Sequence, residues 1–216
     1  MTQNELDLIV KLHTQWRENI TFGRHEWEYG GKRANFKNGY ISNLDFSTMD
    51  LRDANFENSC LQYCDFQGTN LQNANLKGAD IRGSNFYMAS LSGANIENVL
   101  YNYKTLFFAL QCPKEGSFIG YKRASDMIVK LLITEDAKRS SATGRKCRCS
   151  KAKVLSITTL TGEDAGVTSV RSNFNPDFIY SIGKEVSVSD FDEDRWNACS
   201  SGIHFFMDRN EAVMYR

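Results

Sequence analysis

The sequence has no excess of charge, no long apolar run and no density of cysteine, and each lack removes a class of protein. Its 216 residues hold 26 Lys and Arg against 26 Asp and Glu. A balanced chain has no long-range attraction for a polyanion, which argues against non-specific nucleic-acid binding by the protein as a whole. No apolar run approaches the roughly 18 residues of a membrane span, and the N-terminus has no apolar core of a secretion signal. A cytoplasmic protein without membrane association is therefore expected. The six cysteines, Cys60, Cys64, Cys112, Cys147, Cys149 and Cys199, are too sparse for a disulfide scaffold, so reduced thiols are expected as well.

What is present is a five-residue period from 34 to 103. Apolar residues recur at Phe36, Ile41, Phe46, Leu51, Phe56, Leu61, Phe66, Leu71, Leu76, Ile81, Phe86, Leu91 and Ile96, ending at Tyr101. Two places before each stands a small or apolar residue, such as Ala34, Ala54, Ala74 and Ala94, and Asn or Asp mostly lies between. Five fits neither the helical nor the strand period. It fits a chain that turns a corner every five residues, with positions i−2 and i facing inward from extended backbone. If four corners close one coil, residues twenty apart stack. Phe46, Phe66 and Phe86 then form one column, Leu51, Leu71 and Leu91 another, and Asn35, Asn55, Asn75 and Asn95 an outer column of amides. Beside it Lys37, Glu57, Lys77 and Glu97 alternate in sign, as an ion ladder requires at a spacing of about 4.8 Å.

These units resemble the A(N/D)LXX pattern of the pentapeptide-repeat proteins, most closely at Ala34-Asn35-Phe36, Ala54-Asn55-Phe56, Ala74-Asn75-Leu76 and Ala94-Asn95-Ile96. The resemblance implies a mainly β fold, a right-handed quadrilateral parallel β-helix of about 3.5 coils. Units containing Leu44, Met49 and Cys60 depart from the pattern, so the early coils are expected to be less regular. The expected division is 1–33 for an N-terminal capping helix and linker, 34–103 for the β-helix, and 104–216 for a small β-rich α+β domain.

Residues 1–20 read as an amphipathic helix with Leu6, Ile9, Val10, His13 and Trp16 on one stripe and a capping box at Thr2 and Glu5. An open coil end exposes apolar lumen and unpaired backbone, and this helix, with Trp16 and Trp27, is the expected lid. His13 and Trp16 as a ligand-binding pair is the alternative. The order Leu12, His13, Trp16, Gly31, Arg33, Ala34 is similar to leaders that precede the repeats in phage-encoded pentapeptide-repeat proteins. Past Tyr103 the period stops; Phe107 and Phe108 are expected to plug the lower end, and Pro113 and Gly116 to mark a boundary. Strands are expected at 118–121, 128–134, 153–159, 178–182, 186–188 and 202–207, then a helix over 209–215.

Three features of this second part could carry chemistry. Residues 138–153 hold seven basic residues and no acid. Lys138, Arg139, Ser140, Thr143, Arg145, Lys146 and Arg148 form a candidate anion site, since Arg forks, hydroxyls and backbone N–H groups suit phosphate. The competing reading is a strand–loop–strand edge protected by its charge and paired with Asp190, Asp192, Glu193 and Asp194. Cys147, Cys149, Cys199 and His204 have the chemistry of a zinc site, but without the usual Cys-x2-Cys spacing, and no metal is assigned. Cys199 with His204 is a nucleophile–base pair lacking an orienting acid, and no catalytic residue is assigned. The stretch Cys199-Ser200-Ser201-Gly202-Ile203-His204-Phe205 resembles a motif in a phage and bacterial domain of unknown function that follows pentapeptide repeats.

The expected function is accordingly that of a non-enzymatic, phage-type binding protein without a cofactor, acting in the host cytoplasm in counter-defence or host modulation. Its partner is a phosphate-bearing small molecule, such as a nucleotide, or a host protein; self-association is left open. A metal- or thiol-dependent enzyme on Cys199 and His204 is the alternative. A DNA-mimic topoisomerase inhibitor, a role some pentapeptide-repeat proteins have, ranks lower. Residues 34–103 hold only Lys37, Arg52, Lys77 and Arg82 against Asp45, Asp50, Asp53, Glu57, Asp65, Asp80 and Glu97, too small an acidic excess on too short a rod.

Overall fold

A computed structural model describes residues 1–25 and 29–215. The chain divides into two units, Met1–Ala109 and Leu110–Arg216. No described helix is long and apolar enough to cross a membrane.

In the first unit the five-residue period becomes a coil that returns upon itself every twenty residues. Asn35 bridges Asn55 in parallel, Asn55 bridges Asn75 and Asn75 bridges Asn95, and the same ladder runs from Tyr40, Asp45 and Asp50. The early units containing Leu44, Met49 and Cys60 are thus as regular as the later ones. No unit forms a continuous strand: each contributes one bridging residue and then turns. Phe36 N–H donates to Asn55 O and Asn55 N–H to Ala34 O, so the bonds run between coils. The turn closes with Gly39 N–H on Phe36 O, and its third residue has positive φ, as at Asn38 (57°) and Asn58 (56°). A positive φ at that position is the demand of a type II turn and selects Asn and Gly. At Gly83 a Cβ would come within 2.5 Å of the Tyr63 ring one coil earlier, so the glycine also makes room for its neighbour.

The consensus Asn or Asp closes the turn from outside: Asn35, Asn55 and Asn75 each accept the backbone N–H two residues on. Their amides also link along the stack, Asn55 to Asn35 at 3.1 Å and Asn75 to Asn55 at 3.3 Å. Lys37 meets Glu57 at 3.0 Å and Lys77 meets Glu97 at 2.8 Å. Inside, Phe46 and Phe66 stack at 4.6 Å and Phe66 and Phe86 at 4.9 Å, all fully buried. Where the small column holds a hydroxyl, it donates to a backbone carbonyl: Thr69 to Phe46 O of the preceding coil at 2.7 Å, Ser84 likewise to Leu61 O, and Ser59 to Phe56 O of its own turn. Burial fades after Leu91, and Tyr101 is exposed. The coil continues with one extra residue: Asn85 bridges Leu106, and Phe108 packs beneath Phe86 and Tyr101.

The N-terminal helix α1 (Gln3–Thr21) has the expected capping box of Thr2 and Glu5. It lies over the first coil through that coil's unpaired backbone. The Gln3 amide donates to Asp45 O at 2.7 Å and accepts Asp45 N–H at 3.1 Å. His13 accepts Ala34 N–H at Nδ1 (3.1 Å) and donates from Nε2 to Arg52 O (3.0 Å). Both ring nitrogens are thereby used, so His13 and Trp16, stacked at 5.3 Å, act as packing rather than as a ligand pair. Trp27 lies outside the described residues.

Among the described residues the second unit carries nine strands. An antiparallel sheet is ordered β1 (Phe118–Ala124), β2 (Met127–Ile133), β5 (Lys151–Thr159), β8 (Glu185–Ser187). A three-stranded sheet is ordered β3 (Arg139–Ser141), β4 (Cys147–Cys149), β9 (Ile203–Phe205), and β6 (Ser169–Arg171) pairs with β7 (Ile179–Ser181). A short helix, α2 (Arg209–Met214), ends the unit. Strands β3 and β4 answer to the strand–loop–strand alternative for the basic segment, whereas β6, three residues long, is too short for a period to register and was not expected. Val129, Leu131, Ile133, Val154, Ile157 and Phe205 form the core with Cys147 and Cys149. Arg148, only 2% exposed, faces away from those cysteines and donates to three carbonyls of the 191–202 segment: Asp192 (3.0 Å), Ser201 (2.8 Å) and Asp194 (2.9 Å).

Three outcomes are expected. Phe66→Ala should cost about 3–5 kcal/mol through the cavity it leaves in the stacked column, and an unchanged urea midpoint would sink the assignment. Burial is the first reason His13 has a lowered pKa, so the fold prefers the neutral ring. Its contribution is complete above the unfolded value near 6.5 and lost as pH falls below it, by at most about 1.4 kcal/mol per pH unit. Denaturation at pH 7.5 and 5.5 should show this extra loss in the parent and not in His13→Asn. Arg148→Glu should unfold the second unit or cost about 3–5 kcal/mol by setting a buried carboxylate against carbonyl oxygens. The exposed ion pair of Arg145 with Glu211 should cost less than about 1 kcal/mol in Arg145→Glu, both read by thermal melting.

Candidate functional site

Strand β1 reads Phe-Ile-Gly-Tyr-Lys-Arg-Ala, and its alternation turns Gly120, Lys122 and Ala124 to the core. Gly120 admits the Phe205 ring so closely that a Cβ would stand 2.6 Å from it. Lys122, between two positions without bulk, is the anomaly: an amine at a core position, 8% exposed. Its Nζ has one hydrogen bond, at 3.4 Å to His204 O, and lies 5.8 Å from the centre of the Tyr180 ring. Among the described residues it makes no ion pair. Burial pulls its pKa down to about 8, and the charge of Lys146 adds to the effect.

Lys122 sits where two depressions of about 460 and 480 Å³ adjoin, sharing Lys122, Phe174, His204 and Tyr215. The first is completed by Arg123, Ser125, Asp126, Asn173 and Phe206. The second adds Lys146, Phe178, Tyr180, Asp190 and the 199–203 segment. Lys146 reaches in from the end of the β3–β4 hairpin, its Nζ 3.7 Å from Cys199 Sγ and 5.7 Å from the centre of the Tyr215 ring. His204, opposite Arg148 in the β4–β9 register, has its pKa pushed down to about 4, first by burial and then by Lys146, Lys122 and Arg148. It is neutral at pH 7, and its buried Nε2 has no hydrogen-bond partner. Arg123 pairs with Asp126 at 3.0 Å, so the uncommitted charge of the cleft is that of the two lysines, with Asp190 the carboxylate on their side. The walls are aromatic: Phe174, Phe178, Tyr180 and Tyr215.

The rim beside Lys146 is held in shape by Asp192. Its carboxylate accepts from the Ser200 hydroxyl, from Asn197 Nδ2 at 3.0 Å and from Asp194 N–H at 2.8 Å, which keeps its pKa below the usual range. With the three carbonyls on Arg148, this fixes the loop that presents Cys199 to Gly202.

The basic segment does not converge as a phosphate loop. It forms the β3–β4 hairpin, and β4 is covered on its other side by β9. Arg139 is spent on the carbonyls of Thr134, Glu135, Ala137, Pro113 and Gly116. Arg148 is buried, Ser140 and Thr143 are 3% exposed, Lys138 pairs with Glu193 and Arg145 with Glu211. Of the seven residues only Lys146 lines the cleft. The pairing of Lys138 with Glu193 matches the competing reading, in which the segment's charge meets the acidic run. Cys147 and Cys149 face the core while His204 shares the opposite face with Arg148, so the four metal-type ligands do not meet, and no cluster of three such groups occurs among the described residues. Cys199 is exposed and bonds Lys146 rather than His204, so no thiol–imidazole pair is formed. Lys122 and the aromatic walls were missed; the signal available was a lysine two residues from a glycine and two from an alanine on one face of an apolar strand.

Comparison with known proteins agrees with this division. Residues 32–68 and 59–98 match pentapeptide repeats, in 8 copies. Residues 108–212 match a family of unknown function, DUF5758. No curated protein matches the chain. Among solved structures it is similar to a pentapeptide repeat protein from the Arabidopsis thaliana thylakoid lumen, at 27% identity over 38% of this chain and 66% of that one, TM-score 0.28. Two others are Rfr23 from the cyanobacterium Cyanothece 51142, at 23% identity over 35% and 65%, TM-score 0.23, and HetL of Nostoc, involved in heterocyst differentiation regulation, at 18% over 37% and 49%, TM-score 0.23. The chain spans 66% or less of the length of each. It carries, in order, pentapeptide repeats and a DUF5758 domain.

Proposed function

We propose that the protein is a binding protein whose second unit captures a small anionic ligand with a planar ring, a nucleotide being the class that fits best. One observation carries the reading: Lys122 is a buried ammonium on a cleft wall with no carboxylate paired to it among the described residues. Burying an unpaired charge opposes folding, and such a group is retained where a ligand supplies the counter-charge. Lys146 brings a second positive charge to the same cleft, and Phe174, Phe178 and Tyr215 offer faces for a ring to stack on. The repeat unit serves as a stable platform. The coil is read as the right-handed quadrilateral β-helix that its resemblance implies. The similarity of the leader and of the Cys199–Phe205 stretch to phage proteins supports a role in the host cytoplasm, where nucleotides are abundant, in counter-defence or host modulation.

Calorimetry with mono-, di- and cyclic nucleotides tests this on the parent and on Lys122→Met and Lys146→Glu. The parent is expected to bind with an affinity that falls as salt rises. Each variant should lose tenfold or more, while Arg145→Glu binds like the parent. Lys122→Met should also melt higher than the parent at pH 7, because it replaces a buried charge by an apolar chain of similar length. Absence of binding to the parent, or undiminished binding to Lys122→Met, would overturn the proposal.

A further inference from the structure

The cleft also bears on how a ligand is held. We infer that the cleft takes a second class of ligand besides a nucleotide, which has no aldehyde or ketone: Lys122 forms an imine with a small aldehyde or ketone that carries an anionic group. The inference rests on the reading of the cleft as an anion site and names the ligand's reactive group.

An amine attacks a carbonyl only when unprotonated, so a lysine that forms imines at neutral pH needs surroundings hostile to its ammonium form. Lys122 has them. It sits at a core position of β1, and among the described residues its one hydrogen bond is a 3.4 Å contact with a backbone carbonyl and no carboxylate pairs with it. Lys146 faces the same space and repels a second positive charge, and the neighbouring imidazole of His204 is neutral. With a pKa of about 8, roughly a tenth of Lys122 is free amine at pH 7, against well under a thousandth for an ordinary lysine. The amine still has access, because Lys122 lines both depressions.

The step is balanced without a further reagent. The Nζ lone pair adds to the carbonyl carbon, giving a carbinolamine once a proton passes from nitrogen to oxygen. The hydroxyl then takes a second proton from solvent and leaves as water while the nitrogen lone pair forms the C=N bond, and the resulting iminium returns its N–H proton to solvent. Amine and carbonyl compound give imine and water. The anionic group of the ligand, phosphate or carboxylate, meets Lys146, which lines the same cleft and takes the part of anchor.

The test uses pyridoxal 5′-phosphate and glyoxylate as the phosphate and carboxylate probes. Each is incubated with the full chain between pH 6 and 9, reduced with cyanoborohydride, and mapped by peptide mass spectrometry. Labelling is expected at Lys122 ahead of the exposed lysines, rising with pH and levelling above about 8. Lys146→Glu should slow it at least tenfold, and Lys122→Met, expected to fold, should abolish it. Binding of pyridoxine 5′-phosphate, which lacks the carbonyl, is measured alongside. If the alcohol binds but Lys122 is not labelled, the covalent inference fails and the anion site stands. If the alcohol does not bind and labels fall only on exposed lysines, both fail. Selective labelling of Lys122 without binding of the alcohol would support the amine's reactivity and reject the anchor at Lys146.

Discussion

The first unit depends on where its backbone hydrogen bonds go. In a helix the bonds close within one segment; here each coil gives its N–H and C=O groups to the coils above and below. Everything periodic in the sequence follows from that choice. Aromatic rings must stack at the coil spacing, polar side chains must tolerate copies of themselves directly above and below, and turns must recur at one phase. The outer Asn column meets the second demand because an amide is donor and acceptor at once, and so bonds its own copy in the next coil. The Lys37–Glu57 and Lys77–Glu97 pairs meet it by alternating sign instead.

This explains how much of the molecule was legible in the sequence. The repeat unit repeats its physics along with its residues, so identity at twenty exposes the coil, its inner columns and its ladder in the residues alone. Two features remained hidden. The left-handed residue of each turn varies among Asn, Asp, Gly, Thr, Tyr and Met, so the turn type did not register. The extra residue before Leu106 breaks the period and made the coil look one unit shorter. In the second unit strands of three residues meet partners far along the chain, as when Cys147 pairs with Phe205. Nothing local encodes such pairings. The basic segment illustrates the cost: its charges look concentrated along the chain, yet Arg139 and Arg148 are turned toward backbone carbonyls. A guanidinium with five donors serves as well to gather loose carbonyls as to grip phosphate, and only the fold separates the two uses. Lys122, by contrast, lies one residue past the expected strand 118–121, and it is buried.

The second unit therefore places its charges by function rather than by density. The arginines fasten loops: Arg148 holds the 191–202 segment, and Arg139 gathers carbonyls between 113 and 137. The lysines of the cleft make one long contact each, Lys122 with His204 O at 3.4 Å and Lys146 with Cys199 Sγ at 3.7 Å. A guanidinium keeps its proton in almost any surroundings, whereas an amine yields it when desolvated. The distribution assigns the stable charge to architecture and the labile one to the cleft.

The pairing of Gln3 with Asp45 has a consequence for assembly. A primary amide presents the donor and acceptor of a peptide group, and here it takes the place that the next coil's backbone would occupy. With His13 on Ala34 N–H and Arg52 O, the helix seals the top of the ladder. A ladder left open would be a template on which a second copy could stack its own first coil, and a head-to-tail contact of that kind does not close into a ring but propagates. The N-terminal helix is thus a chain terminator in the polymer sense: it holds the protein to a finite length by occupying the site of growth.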